Sequence, residues 1–188
     1  MSPAMIRTNP VQPCGRRAPA ARGGFTLVEI LIVVVILGIL AAIVMPELSS
    51  ASRQAREGVL KDDLRFMREQ VTRYMIQHND VAPGYPAGGN ATVTPDESSF
   101  IDQMTRFTDV LGNSAVNGSN VFKFGPYLTK IPDNPLSTRN TILVIPNGSP
   151  FPAPDLSQPY GWMYKPETLQ FMPNMPGTDL QGIPYMNY

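Results

Sequence analysis

The feature that most constrains this chain is an unbroken apolar run. Residues 25–45 read FTLVEILIVVVILGILAAIVM, 21 positions with a single charge, Glu29. As a helix they extend about 31 Å at about 1.5 Å per residue, the thickness of a bilayer core. The β-branched stretch Val33-Val34-Val35-Ile36 reads as strand in water. Lipid offers backbone groups no partner outside the segment, so helix is predicted there. Nothing else in the 188 residues is apolar enough to surround such a helix, and the run reads as a membrane segment rather than a core helix.

Composition excludes several classes of function. Charged residues are 16% of the chain and apolar residues 43%, which rules out a disordered polyelectrolyte. A formal net charge of zero argues against a nucleic-acid binder, which needs excess Lys and Arg to neutralise phosphates. The balance hides an asymmetry: residues 1–24 carry Arg7, Arg16, Arg17 and Arg22 and no acid, so the remainder is acidic, net −4. One cysteine, Cys14, and one histidine, His78, leave no intrachain disulfide and no Cys or His metal cluster. There is no P-loop, and no catalytic constellation is visible. The length suits one modest domain plus an extra segment. Most of the 20 prolines follow residue 80, which predicts loops and short strands there.

Residues 1–45 admit three readings. A secretory signal cut after the apolar run, near Ala41-Ala42, conflicts with the run's length, since such apolar regions usually hold about 7–15 residues. A plain anchor leaves Glu29 unexplained. A carboxylate at a membrane helix centre costs about 2.5–3.5 kcal/mol, less near an end, and wants a partner. The third reading supplies one. Gly23-Gly24-Phe25-Thr26-Leu27-Val28-Glu29 resembles the prepilin signal of type IV pilins and type II secretion pseudopilins: a basic leader ending in Gly, then Phe-Thr-Leu-(Val/Ile)-Glu opening an apolar helix. The resemblance implies that a membrane aspartyl (prepilin) peptidase removes residues 1–24 by cutting between Gly24 and Phe25. It also implies that Phe25 becomes an N-methylated first residue, and that Glu29 meets the new amine, its own or a neighbouring subunit's. An intermolecular pair would set axial register, because a charge in low dielectric is costly when unpaired. The alternative is that Glu29 neutralises only its own N-terminus and helix dipole. Arg53, Arg56, Lys61 and Arg65 follow the span and balance the four leading arginines. Charge therefore does not orient it; the resemblance places the N-terminus in the cytoplasm.

Pro46 ends the apolar run, and a helix kink or melted turn is expected there. Beyond it, apolar residues at Ala55, Val59, Leu60, Leu64, Met67, Val71, Tyr74, Met75 and His78 recur in steps of three and four, an amphipathic helix. Residues 25–78 are thus predicted as one helix of about 80 Å. Glu57–Lys61 and Glu69–Arg73 are expected i,i+4 pairs. Asp62 and Asp63 point about 100° apart and read as a solvated face. His78 reads as a last-turn residue favoured by the helix dipole.

Residues 79–188 are predicted as a head. Residues 79–95 form a loop. Thr94-Pro95-Asp96-Glu97 reads as a capping box opening a short helix over 95–111, with Phe100, Ile101, Met104, Phe107 and Leu111 on one face. Residues 113–120 form a second loop, 141–145 (TILVI) a strand, and 146–159, with five prolines, a surface loop. Residues 160–164 and 169–172 flank a hairpin turn with alternating aromatics, followed by an irregular tail.

In order, GPYLTKIPDNP (125–135) and GWMYKPETLQ (161–170) resemble the sheet-entry turn and final hairpin of the major pseudopilin of type II secretion. The resemblance implies an α+β, pilin-like fold: a long N-terminal α-helix, transmembrane in its first half, packed on a small antiparallel β-sheet head with long loops. It implies a structural, non-enzymatic subunit, single-pass in the bacterial inner membrane with a periplasmic head, polymerised with itself and minor pseudopilins by an inner-membrane assembly platform and its ATPase. The alternative is a type IV pilin of a surface fibre for adhesion or motility, though such pilins usually carry a C-terminal disulfide loop. An anchored enzyme or lectin is the weakest reading. Members of this family often bind calcium in a C-terminal loop. Calcium wants six to eight oxygens, several of them carboxylates, and after residue 150 only Asp155, Glu167 and Asp179 are present, so no cofactor or metal is expected.

Overall fold

A computed structural model of the chain describes residues 24–86 and 92–188. The leader, including Cys14 and its four arginines, lies outside the described residues up to position 23. Helix α1 covers Leu27–Gln77. Pro46 lies inside it, and the helix continues through the proline without a melted turn. The chain divides there into two compact units, Met1–Met45 and Pro46–Tyr188.

In the second unit α1 buries the face its spacing predicts. Leu60, Leu64, Met67, Val71 and Tyr74 are buried, as is Glu57 one turn earlier. Ala55 and Val59, expected on the same stripe, are exposed. The partner is a head of helix α2 (Glu97–Thr105), a two-stranded ribbon of β1 (Phe107–Thr108) and β2 (Ser114–Ala115), and a sheet of β3 (Ile142–Val144), β4 (Trp162–Lys165) and β5 (Gln170–Pro173). A short 3₁₀ turn, Tyr185–Asn187, closes the chain.

The expected α+β arrangement is present, with one difference in the sheet. β4 and β5 form the predicted antiparallel hairpin, but β3 pairs β4 in parallel, Ile142 opposite Trp162. A parallel pair needs a crossover of about a dozen residues or more, and the proline-rich stretch between β3 and β4 supplies it. As the central strand, β4 buries Trp162, Met163 and Tyr164. Phe100 of α2 stacks over this sheet, its ring 4.8 Å from Tyr164, and Phe171 lies 5.6 Å from Trp162.

Helix α2 is shorter than the predicted 95–111 and starts later. Asp96, extended at φ −142°, is the cap, accepting from the Ser99 amide at 2.8 Å. Thr94 does not cap, because the helix opens at Glu97, three residues past it, and the Glu97 carboxylate accepts the Ile142 amide at 2.9 Å. The helix stops at Thr105 because Tyr127 and Leu128 donate their amides to Met104 O, and Phe107 enters β1.

A head with so little sheet must satisfy its loop backbones otherwise, and buried side-chain amides do it. Gln103 accepts from the Gly84 amide and donates to Tyr85 O, both at 2.7 Å. Asn134 donates to Gly161 O and accepts from the Leu136 amide. Asn174 accepts from the Asp155 amide and donates to Asp155 O and Tyr160 O. Gly161 admits no side chain, since a Cβ there would lie 2.2 Å from Arg139 O.

Candidate functional site: the N-terminal helix and its outward face

Every residue from 24 to 56 is exposed, apolar ones included: Phe25 is 80% exposed, and Leu31, Val35 and Leu40 are more than half exposed. A helix apolar on all sides belongs in lipid or among other helices. This one is long and apolar enough to cross a membrane.

Its first turn is specific. Thr26 and Glu29 form a reciprocal capping box: the Glu29 amide donates to Thr26 Oγ1 at 3.2 Å, and the Thr26 amide donates to Glu29 Oε2 at 3.3 Å. The Thr-x-x-Glu signal was in the sequence, although the reading placed a capping box only at Thr94. Glu29 therefore has an intrachain partner before any processing. Gly24 and Phe25 precede the helix, exposed, and a Cβ on Gly24 would meet nothing within 4 Å. Among the described residues, packing places no demand for glycine there.

Between residues 57 and 78, the face of α1 opposite the buried stripe carries Val59, Asp62, Phe66, Glu69, Arg73 and Ile76 in alternating steps of three and four. Val59 is 51%, Phe66 48% and Ile76 69% exposed. A groove lined by Arg65, Glu69, Thr72, Arg73, Ile76 and Gln77 runs along its end. Sequence spacing places Val59 on the core stripe and gives Phe66 and Ile76 no role; the distance of all three from Leu60–Leu64–Met67 on a helical wheel is the signal for this face.

The expected ion pairs are redistributed. Glu69 pairs with Arg65 at 3.3 Å rather than with Arg73, an exchange of little energetic weight between exposed groups. Glu57, only 3% exposed, pairs with Arg53 at 3.0 Å rather than with Lys61, and accepts the Tyr185 hydroxyl at 2.8 Å. Asp62 is exposed and Asp63 half-buried; partial burial and then the Asp62 charge hold the Asp63 carboxyl above its ordinary value. Among the described residues no set of three or more His, Cys, Asp or Glu converges as a metal site.

His78 meets one of its two expected roles and not the other. It is buried and stacks on Tyr74 with centroids 3.7 Å apart, as its place on the stripe implies; what fails is its expected service to the helix dipole, since burial disfavours the cation. Nδ1 lies 2.7 Å from Tyr74 O, an acceptor, so Nδ1 carries the proton and Nε2 accepts the Thr108 hydroxyl at 2.9 Å. Burial pushes the imidazole below its usual value, against smaller upward pulls from Tyr74 O and Asp109. Its polar capacity is spent on joining α1 to β1.

Residues 19–45 match the family described as the prokaryotic N-terminal methylation motif. Over 57 residues the chain is 44% identical to the type II secretion system core protein G of Pseudomonas aeruginosa, covering 30% of this chain and 40% of that protein. With core protein G of Vibrio cholerae it shares 38% over 71 residues, 38% of this chain and 48% of that one. With a type IV major pilin of Neisseria gonorrhoeae it shares 31% over 84 residues, 44% of this chain and 38% of that one. The chain thus spans roughly 38–48% of the length of these curated relatives. No solved structure matches it.

Proposed function

We propose that this chain, a member of the pilin-like family by its N-terminal methylation motif, is a structural pseudopilin subunit of a type II secretion system. In this reading the prepilin peptidase cuts between Gly24 and Phe25 and methylates Phe25. The mature protein then waits in the inner membrane, N-terminus cytoplasmic and head periplasmic. The assembly platform and its ATPase extrude it, with minor pseudopilins, into a periplasmic filament that drives protein export. The chain performs no chemistry of its own; its work is self-association.

One observation carries the reading: an exposed, all-round apolar helix whose single acid, Glu29, lies four residues beyond the site of a new amine. In lipid the apolar surface is satisfied by acyl chains; in a filament it is satisfied by other copies. Cleavage frees the Phe25 amine, and Glu29, released from its cap, pairs with the amine of the preceding subunit and fixes the stagger. The second unit offers its own outward stripe, Val59–Phe66–Ile76, for packing against neighbouring copies.

Mass spectrometry of the native polypeptide tests the first step. A mature chain beginning with N-methylated Phe25 is expected, and an intact leader or another first residue overturns the reading. A type IV pilin is the second reading, favoured by the identity with neisserial pilins. Electron microscopy at native expression separates the two, since the pseudopilin leaves no fibre on the cell surface. Cys14, removed with the leader, leaves the mature chain without the disulfide usual in such pilins.

A further inference from the structure

Residues 177–188 (GTDLQGIPYMNY) belong to the tail that sequence predicts as irregular, and they are bonded along one flank of α1. Arg53 donates to Thr178 O at 2.6 Å and to the Tyr185 hydroxyl at 3.1 Å. Glu57 accepts that hydroxyl and, at 3.4 Å, the Leu180 amide. Arg68 donates to Tyr188 O. At the centre stands Asp179, whose side chain is 0% exposed. Oδ1 accepts the Gln181 and Ile183 amides at 2.9 and 2.8 Å. Oδ2 accepts the Tyr188 hydroxyl at 2.7 Å and faces Lys61 Nζ at 3.5 Å. The same ammonium lies 4.3 Å from the centre of the Tyr188 ring, a cation–π contact.

Members of the resembled family often bind calcium in a C-terminal loop, so the donor set here is compared with what calcium needs. It needs six to eight oxygens, with more than one carboxylate among them. Both Asp179 oxygens are filled by four donors. Glu57, the other carboxylate reaching the segment, is filled by Arg53, Tyr185 and Leu180. The carbonyls are engaged as well: Asp179 O by the Gly182 amide, Ile183 O by the Asp179 amide, Thr178 O by Arg53. The residues do not fit calcium. They do fit an ammonium, which asks for one anion and an aromatic face and receives both.

We propose that the side chain of Lys61 is the built-in cation of this segment, fixing residues 177–188 on α1 without any divalent ion. A buried carboxylate held by backbone amides still carries a full charge, and Lys61 neutralises it from α1, tying the loop to the helix as well as to itself. Lys61 is half exposed, so its replacement leaves the core intact.

The test uses the full chain in detergent and reads chymotryptic cutting after Leu180 and Tyr185 by mass spectrometry. Wild-type protein is expected to be cut at the same slow rate in calcium chloride and in chelator. Lys61→Met is expected to be cut about tenfold faster at those two bonds, the result of more frequent local opening. Lys61→Arg, which keeps the charge, is expected to restore protection. Faster cutting of wild type in chelator overturns the proposal, as does wild-type protection in Lys61→Met. The readout is taken on unassembled protein, so it stands apart from whether the chain forms a secretion filament.

Discussion

The two halves of α1 are one helix by hydrogen bonding and two different objects by surface. From Leu27 to Met45 apolar side chains point in every direction and all are exposed. From Glu57 onward one stripe is buried under the head while its opposite face stays open. Among the described residues the second half has found its partner and the first half has none. Helical geometry is common to both, and what differs is the angular width of the apolar surface. A narrow stripe specifies a fold, whereas a full circle specifies an environment.

The sharpest way to break this comparison is at the boundary of the first half. Gly24→Leu costs the isolated chain nothing, because the position is open. Yet it is expected to abolish processing and all assembly, visible as a precursor band that does not shift. Normal cleavage of that variant would remove the premise that the first half is exposed for a peptidase to mature.

Glu29 offers a finer cut, because its capping box gives it a local role besides the intermolecular one. Glu29→Ala loses both; Glu29→Gln keeps a cap acceptor and loses the charge. Both variants are expected to be processed and to yield few or no filaments by electron microscopy. If Glu29→Gln assembles like wild type, capping is its role and the charge pair is discarded.

Paired truncations weigh the halves against each other. Leu64→Ala in the buried stripe is expected to cost about 2–5 kcal/mol. That lowers the melting temperature by roughly 5–15 °C for a chain of this size. Leu37→Ala, 58% exposed in the wild-type helix, is expected to leave the melting temperature of the detergent-solubilised monomer unchanged. Equal losses would mean that the first half has an intrachain partner after all.

The smallest effect concerns pH. His78 is held neutral by burial, so its folded pKa lies below the unfolded value of about 6.5. Its contribution to stability is complete above that unfolded value and is lost as pH falls through the lower folded one. The imidazole resonance of this sole histidine should titrate with a midpoint under about 6.5. His78→Gln should flatten the dependence of melting temperature on pH in the same range. A midpoint at or above the unfolded value would restore the helix-dipole reading of this residue.

The same local signal had opposite fates in two places. Thr26-Leu-Val-Glu29 and Thr94-Pro-Asp-Glu97 both carry the capping-box pattern. The first forms it, because nothing distant competes for an exposed helix end. In the second, Asp96 caps from within the motif and Glu97 is drawn to the β3 backbone. Likewise Glu57–Lys61 was a sound local expectation, displaced by Tyr185 and Asp179, which the fold brings from more than a hundred residues away.

Sequence alone therefore settled what depends on period, length and neighbouring residues: the apolar span, the Leu60–Tyr74 stripe and the β4–β5 hairpin. Tertiary structure decided what depends on distant partners: the parallel entry of β3, the burial of Glu57, the Thr108 partner of His78 and the Lys61–Asp179 pairing. The physical reason is that hydrophobic periodicity is written locally along the chain, whereas a buried charge is stable only beside whichever donors folding carries to it, and that choice is made in space.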